Sequence, residues 1–193
     1  EEMLEMASLG AKVMQPVSIQ DARLNRIDID VRSSFKNVSG SLITRRKNVS
    51  TKKNIIRGVS FSKNDSKITL VGVKDRPGIA AAIFEPLFKN SINVDMVVQN
   101  ISSNEKETDL TFTIKNEDLN KTKKIIKENK NINFRKLLFK KGVSKISIIG
   151  VGMITTPGVT FRMFQALANK KINIQVISTS EIKISVLIDT KDV

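Results

Sequence analysis

Residues 67–73 read KITLVGV, and residues 145–151 read KISIIGV. Each stretch is followed by a Pro-Gly pair, at Pro77-Gly78 in the first case and at Pro157-Gly158 in the second. A period of about 80 residues is longer than the roughly 20–50 residues of solenoid repeats. The sequence therefore indicates a tandem duplication of a small domain.

The segments after each Pro-Gly pair also correspond, and they occur in the same order in both copies. An alternating apolar stretch closes each copy, ending at Ile114 and at Ile188. The other matches are Phe84 with Phe164, Leu87 with Leu167, and residues 91–94 with residues 171–174.

The pattern of apolar residues and turn residues predicts the elements of each copy. The first copy is predicted to have the order β-α-β-β-α-β, which is the ferredoxin-like pattern of an α+β fold. The second copy is predicted to stop after β-α-β-β, so it lacks a second helix and a last strand, and the chain is expected to be cut at both ends. The predicted elements are strand 67–73, helix 78–90, strands 92–100 and 108–114, helix 118–130 and strand 132–139, followed by strand 143–151, helix 158–170 and strands 172–178 and 182–188.

Residues 1–44 belong to neither copy and are too few to form a core of their own. They are predicted to contain a helix at 3–14, a second helix that begins near Ser18, and a strand at 27–31. A strand at 55–61 and a turn at 64–66 are predicted before the first copy. The domain boundaries that follow are a remnant of a larger domain at 1–44, a linker at 45–53, a first repeat domain at 54–141 and a truncated second repeat domain at 142–193.

One residue conflicts with its predicted element. Pro86 lies inside the helix predicted at 78–90, whereas the second copy has Ala166 at that position. Proline removes a backbone donor and crowds the carbonyl four residues earlier. We therefore expect the helix to bend or end at Pro86.

The composition excludes several kinds of site. The chain has no Cys, His, Trp or Tyr, so disulfides, thiolate nucleophiles and catalysis by Ser-His or Cys-His pairs are excluded. No catalytic residue and no metal ligand set is predicted from the sequence.

The net charge of +14 raises the question of nucleic-acid binding. The basic residues are spread along the chain, and Tyr and Trp, which would stack on bases, are absent. A solvated surface is the simpler interpretation, and no nucleic-acid partner is predicted. No apolar run approaches the length of a membrane span and the first residues do not form a signal peptide, so no membrane partner is predicted and a cytoplasmic location is expected.

The strand-turn-helix around Pro77-Gly78 is the strongest candidate for chemistry. Free N–H groups at the start of a helix suit a carboxylate, and Asp75 and Asp95 could face an ammonium group. Gln99 and Asn100, at a strand end, could add hydrogen bonds. This pattern is typical of an amino-acid pocket, but it also fits an ordinary turn in which Asp75 caps the helix. The polar segment 178–181 is open to the same two interpretations: a turn that faces a ligand, or a hydrophilic loop.

At these residues the chain resembles the C-terminal part of the aspartate kinase family. The resemblance covers nearly the whole chain. Residues 3–34 resemble the end of the kinase domain, and the two copies resemble the tandem ACT domains of the family. The segments that carry the resemblance are residues 92–100, 108–113, 151–153, 157–159 and 177–186.

The resemblance implies the function of the whole enzyme and the role of this part. The family phosphorylates the β-carboxylate of L-aspartate with ATP, and its ACT domains bind lysine, threonine or both as feedback inhibitors where ACT domains of two chains meet. It implies a homo-oligomer, a catalytic kinase domain or subunit as partner, and ATP and Mg only in the full-length enzyme, with no cofactor in this segment. The family's catalytic Lys and Gly-rich motif have no counterpart in this chain. The effector-binding residues it implies are Asp75, Pro77, Gly78, Ile79, Ala80, Asp95, Gln99 and Asn100 on the first-domain side, and Asn173, Ile174, Ser178, Thr179, Ser180 and Glu181 on the second-domain side.

Two functions therefore remain open. The chain is either the regulatory portion of an aspartate kinase or a separately made ACT amino-acid-binding subunit without kinase activity. The sequence does not choose between lysine, threonine and both together as effectors.

Overall fold

The computed structural model describes residues 1–45, 54–101 and 107–193. Most of the predicted linker at 45–53 lies outside the described residues. The described chain forms two compact units, each built from three segments. The first unit contains Glu1–Phe61, Ile146–Lys170 and Thr179–Ser185, and the second contains Ser62–Lys145, Lys171–Ser178 and Val186–Val193. The domain boundaries predicted from the sequence stay a prediction.

The second unit contains residues of six strands, which are hydrogen-bonded in the order β4-β5-β3-β6-β8-β7. Within the first repeat this order is 2-3-1-4, with one helix after the first strand and one after the third, so the predicted ferredoxin-like α+β fold is confirmed. The elements are β3 (Gly58–Lys74), α3 (Ile79–Lys89), β4 (Val97–Ile101), β5 (Glu107–Lys115), α4 (Leu119–Glu128), β6 (Lys136–Ile149), β7 (Val176–Thr179) and β8 (Lys183–Asp189).

The core of the second unit lies between the sheet and the two helices of the first repeat. Alternate residues of β3 and β5 point to this core, because successive side chains of a strand face opposite sides. Phe112 packs edge-on against Phe84 of α3 with ring centroids 5.3 Å apart. Each fully buried Leu, Ile or Phe contributes about 1.5–3 kcal/mol of transfer free energy. The fully buried members include Ile68, Leu70, Ile83, Leu87, Leu110, Phe112, Ile114 and Ile126.

The turn predicted at 64–66 is wrong, because β3 continues without interruption through these residues. Asp65 is paired with Lys115 of β5, and the Lys115 ammonium contacts the buried Asp65 carboxylate at 2.8 Å. The hydroxyl of Ser66 donates to the Asn116 side-chain oxygen at 2.6 Å. Partners on β5 and just after it therefore bind the polar side chains that suggested a turn, although the Oδ2 atom of Asp65 has no hydrogen-bond partner among the described residues.

Of the two outcomes expected at Pro86, an end of the helix is wrong, since α3 continues to Lys89, and a bend stays a prediction. Pro86 has no N–H to donate to the carbonyl of Ala82, four residues earlier. The side-chain amide of Asn129, just after α4, donates to this carbonyl at 2.9 Å. A side chain from a neighbouring element thus replaces the missing backbone hydrogen bond.

The first unit contains the residues before the duplication together with much of the second repeat. Its additional elements are α1 (Glu2–Ser8), α2 (Pro16–Leu24), β1 (Ile29–Val31), β2 (Ser41–Ile43) and α5 (Val159–Asn169). The helix predicted at 3–14 is too long, because Gly10 takes a positive φ of 113° after α1 has ended. The second predicted helix is confirmed, although it begins at Pro16, a favoured first-turn residue. Ile148, Val159 and Ile184 form the core around α5.

The expectation that the second repeat lacks a last strand needs a correction. In this fold the last strand lies beside the first strand, which in the second repeat is the end of β6. That neighbouring position is occupied by the start of β3, and the Arg57 N–H donates to the Ile149 carbonyl at 2.8 Å. Residues that precede the matched stretch KITLVGV therefore supply the last strand of the second repeat.

The duplication is visible in the backbone as well as in the sequence. Gly78 and Gly158, which precede α3 and α5, have φ angles of 84° and 85°. Ser91 and Lys171, which follow these helices, both have φ angles of 58°. In each repeat, the first helix is thus preceded and followed by a residue in the left-handed conformation, at equivalent positions of the two copies.

The contact between Asn129 and Ala82 gives the first prediction. Asn129→Ala should lower the free energy of unfolding by about 1–2 kcal/mol, because a carbonyl beside the core loses its donor. In a Pro86→Ala background the loss should be smaller by about 1 kcal/mol, since the substituted residue supplies its own backbone N–H to the Ala82 carbonyl. Urea unfolding of the four chains in this double-mutant cycle measures the difference. Equal losses in both backgrounds would contradict this role of Asn129.

Candidate functional site

The turn between β3 and α3 is open on its outer side. Gly78 has a φ angle of 84°, and a Cβ placed on it would meet no atom within 4 Å. The Ile79 N–H donates to the Arg76 carbonyl at 3.2 Å and the Ala82 N–H donates to the Gly78 carbonyl at 3.0 Å. The first-turn N–H of Ala80, lying between them, has no intrahelical partner by position. The turn thus presents a backbone donor next to open space.

The alternative in which Asp75 caps α3 is wrong. The residue at the N-cap is Gly78, and no side chain makes a capping hydrogen bond there. Asp75 is exposed, and among the described residues no hydrogen bond or ion pair to its carboxylate is found. Its charge is therefore available to a ligand.

The predicted residues Gln99 and Asn100 lie at the same end of the strands of the sheet as this turn, and this end is called the sheet edge at the Asp75 turn. In the register of the sheet, Lys74 is paired with Glu107 and Asn100 is paired with Asp109. The ends of β3 and β4 are separated only by β5, so they lie about 10 Å apart. Gln99 and Asn100 are both exposed. One edge of the second unit thus brings together seven of the predicted residues, namely Asp75, Pro77, Gly78, Ile79, Ala80, Gln99 and Asn100.

Asp95 does not join this edge within one chain. Its N–H donates to the Thr113 carbonyl at 3.0 Å, and Thr113 is paired with Lys67, seven residues before Lys74. At about 3.3 Å per residue, Asp95 therefore lies roughly 20 Å from the turn. Its carboxylate pairs with the Lys145 ammonium of the same chain, and its contact with the ammonium group of an effector stays a prediction. Lys145 is only 5% exposed, whereas the Asp95 side chain is 51% exposed.

The residues predicted on the second-domain side occupy one continuous segment. Asn173, Ile174 and Ser178 belong to the second unit, and Thr179, Ser180 and Glu181 belong to the first. The Ser180 N–H donates to the Lys183 carbonyl at 2.8 Å, which closes a turn between β7 and β8. All six residues are exposed or half-buried.

Helix α1 contacts the first-unit part of the second repeat. The Val151 N–H donates to the Glu2 carboxylate at 2.8 Å, and the Lys183 ammonium donates to the Glu5 carboxylate at 3.1 Å. Val151 follows Gly150, whose N–H donates to the carbonyl of Ile182, next to Lys183. Two carboxylates on one face of α1 thus bind neighbouring positions at the ends of β6 and β8.

A polar network joins the first repeat to the second within the second unit. The Lys67 ammonium donates to the Gln175 side-chain oxygen at 2.8 Å, and the Gln175 amide donates to Asp189 at 2.8 Å. Lys140 also pairs with Asp189. Burial and the nearby Lys140 charge lower the pKa of Lys67, while the hydrogen bond from Lys140 lowers the pKa of Asp189.

Sequence reasoning did not single out Lys67, Lys145 or Gln175. A signal for all three was present, because Lys67 and Lys145 open the two duplicated stretches and Gln175 stands where the first repeat has Asp95. What the repeat could not show is that each lysine contacts the other copy.

Two cavities among the described residues differ in their relation to the predicted site. One of about 380 Å³ is beside the Asp75 turn and is lined by Gly72, Lys74, Glu107, Asn133, Phe134 and Arg135. Another of about 960 Å³ is in the first unit, and none of the predicted site residues lines it. In the described ranges no group of three or more Asp or Glu side chains is placed so that it could hold a metal ion. None of the helices described is long and apolar enough to cross a membrane.

The model of a protein family described as the ACT domain matches residues 68–129 and 146–193. A solved structure of aspartokinase alpha and beta subunits is 39% identical, with a TM-score of 0.64, and the match covers 70% of this chain and 89% of that one. The chain belongs to the ACT-domain aspartokinase family. The ligand-free regulatory subunit of aspartate kinase from Thermus thermophilus is 33% identical, with a TM-score of 0.65, and the match covers 72% of this chain and 91% of that one.

An aspartate kinase of Pseudomonas fluorescens is 44% identical over 192 residues, which are 99% of this ACT-domain chain but 46% of the relative. The chain thus spans about half the length of the curated relatives that it matches. The family resemblance read from the sequence is confirmed, and so is the identification of the chain with the regulatory part of these enzymes. The individual effector-binding residues stay a prediction.

The different surroundings of Asp95 and Asp75 give the second prediction. Asp95→Ala should lower the free energy of unfolding by about 1–3 kcal/mol, because it leaves the buried Lys145 ammonium without this partner. Asp75→Ala should change it by less than about 0.5 kcal/mol. Thermal or urea unfolding of the two variants compares them directly. A larger loss for Asp75 than for Asp95 would contradict the arrangement described here.

Proposed function

We propose that this chain is the effector-binding regulatory portion of an aspartate kinase, which transfers the γ-phosphoryl group of ATP to the β-carboxylate of L-aspartate. The observation that carries the proposal is the match over 91% of the length of a solved regulatory subunit of aspartate kinase. Lysine, threonine or both bind the ACT domains as feedback inhibitors. The kinase domain or subunit is the catalytic partner.

The edge at the end of β3 suits the common part of an amino acid. A carboxylate group is bound by backbone donors at the start of α3, where the helix dipole favours negative charge. The unpaired Asp75 carboxylate binds the ammonium group, and Gln99 and Asn100 add hydrogen bonds. Because the side chains of Asp75, Gln99 and Asn100 are exposed in one chain, residues of a second ACT domain complete the pocket.

Inhibition follows from unequal binding to two states of the enzyme. A ligand shifts an equilibrium only by the difference between its affinities for the two states. An amino acid that binds the assembled ACT domains better in the inactive state therefore lowers kinase activity, and aspartate or ATP binding in turn weakens effector binding.

A second function is favoured by one specific observation. The Thermus thermophilus protein is named a regulatory subunit, and the match covers 91% of it. A separately made subunit of this kind would bind the same effectors and act on a kinase chain made apart from it.

We expect the 193-residue chain alone to form no aspartyl phosphate, because the family's catalytic Lys and Gly-rich motif have no counterpart in it. A hydroxamate assay with ATP, Mg²⁺ and aspartate measures this activity. Product above the no-protein blank would contradict the assignment of a purely regulatory role.

Asp75→Ala should weaken binding of the effector by about ten- to a hundredfold, since a charge-assisted contact is worth roughly 1.5–3 kcal/mol. Titration calorimetry with lysine and with threonine measures the change. Asp21→Ala, which removes an exposed carboxylate in the first unit, is the matched control and should leave affinity unchanged. Unchanged affinity in Asp75→Ala would place the site elsewhere.

We also expect the chain to self-associate through the edges of its sheet. The edge strands β4 and β7 leave backbone groups unpaired, and Val97 and Ile177 on them are 47% and 44% exposed. An effector held between two chains should tighten the assembly by mass action. Light scattering at tens of micromolar that shows a monomer with and without both amino acids would refute this expectation.

A further inference from the structure

Two lysines at equivalent positions of the duplication bind each other's repeat. Lys67 is the first residue of KITLVGV, and Lys145 is the first residue of KISIIGV. Lys145 pairs with Asp95 of the first repeat, and the Lys67 ammonium donates to Gln175 of the second repeat at 2.8 Å. Asp95 and Gln175 are themselves equivalent, since each follows the matched segments 91–94 and 171–174. We call these two contacts the crossed lysine bridges.

The main chain repeats the same geometry at both bridges. The Asp95 N–H donates to the Thr113 carbonyl at 3.0 Å, and the Gln175 N–H donates to the Leu187 carbonyl at 2.8 Å. Thr113 and Leu187 each precede the isoleucine that closes their copy. All of these residues lie in the second unit. The agreement of side-chain and backbone contacts indicates one arrangement that occurs twice.

The first bridge holds Asp95 in place because its partner, Lys145, is buried. An ammonium group taken out of water is strongly destabilising unless it is paired. Lys145 is 5% exposed, and Asp95 is the partner that the described residues provide for its side chain. Movement of Asp95 away from this position would leave Lys145 unpaired, so the segment before β4 is fixed.

The second bridge holds Gln175 through both ends of its amide. The side-chain oxygen accepts from Lys67, and the nitrogen donates to Asp189, which Lys140 also contacts. Rotation of the amide would place donor against donor and acceptor against acceptor. The segment that contains Asn173 and Ile174 therefore has a single favoured position next to Gln175.

We propose that Lys67 and Lys145 are positioning residues, each of which holds the amino-acid-binding segment of the other repeat. This inference rests on the proposed function, because Asp95, Asn173 and Ile174 are among the predicted effector-binding residues. Each bridge runs from the first strand of one repeat to the segment before the second strand of the other. The two segments are thus coupled: a shift of the first strand of one repeat moves the binding segment of the other repeat.

Amide hydrogen exchange of the whole chain without ligand tests the crossing directly. Lys145→Met should speed exchange at residues 93–96 by about fivefold or more and leave 173–176 within about twofold, because local opening becomes easier only where the partner is lost. Lys67→Met should give the opposite pattern. Lys136→Met is the control, since Lys136 is exposed and has no ion pair in the part of the chain that is described, and it should change neither segment.

Titration calorimetry with lysine and threonine then tests the positioning role. Lys67→Met and Lys145→Met should each weaken effector binding by about three- to tenfold, although neither lysine is among the predicted effector-binding residues. Lys67→Arg, which keeps the positive charge, should bind the effector about as tightly as the unsubstituted chain and more tightly than Lys67→Met. Should Lys145→Met fail to fold, Asp95→Asn removes the charge of the same bridge and should show the same local exchange at 93–96.

The outcomes separate the two levels of inference. Exchange that is unchanged, or that rises equally in both segments, overturns the crossed bridges. A crossed exchange pattern with unchanged effector affinity overturns the positioning role. If the unsubstituted chain binds neither amino acid, the proposed function fails and the role in effector binding fails with it, while the exchange pattern still decides whether the bridges hold the segments.

Discussion

The left-handed backbone at Gly78 and Gly158 is the constraint on which the rest of each repeat depends. A positive φ at this point is readily available only to glycine, and it turns the chain from a strand directly into a helix. The turn fixes where the helix begins and which face it packs on the sheet. It also leaves the first N–H groups of the helix at the sheet edge, next to open space. Packing of the core and availability of backbone donors therefore have the same local cause.

Charge is distributed very unevenly around this framework. The exposed Asp75 is unpaired in the described part of the chain, while Asp95, Asp189 and Gln175 are engaged by lysines of neighbouring strands. An unpaired surface carboxylate costs little in water, whereas a buried ammonium requires a partner. The structure thus keeps one acid free at the sheet edge and uses others to fix the segments around it. Acidic residues of the same charge type thus differ in whether a lysine of the same chain pairs with them.

The fold could be predicted because its signals are local and occur twice. Matching stretches such as KITLVGV and KISIIGV, with Pro-Gly pairs behind them, gave the strands, the turns and the first helix of each copy. The predicted turn at 64–66 failed because Asp65 pairs with Lys115 of β5 and Ser66 pairs with Asn116 just after it, and no local pattern reveals these partners. The expectation that the second repeat lacks a last strand failed for a similar reason, since the residues of this strand come from before the matched stretch KITLVGV. At the candidate site, the edge around Asp75 followed from spacing, but the pairing of Asp95 with a buried lysine of the other copy did not.

The contact between Asn129 and the carbonyl of Ala82 has a consequence for how the two copies can diverge. In the first repeat a proline is tolerated inside α3 because Asn129, just after α4, donates to the half-buried carbonyl of Ala82. The second repeat has Ala166 at the matching position, and this residue has its own backbone N–H to donate within α5. The proline at 86 and the amide at 129 therefore act as a pair, since loss of the amide alone leaves the carbonyl of Ala82 without this donor. Residue 86 thus depends on a side chain outside its own helix whereas residue 166 does not, so two halves with a common origin place different demands on the same position.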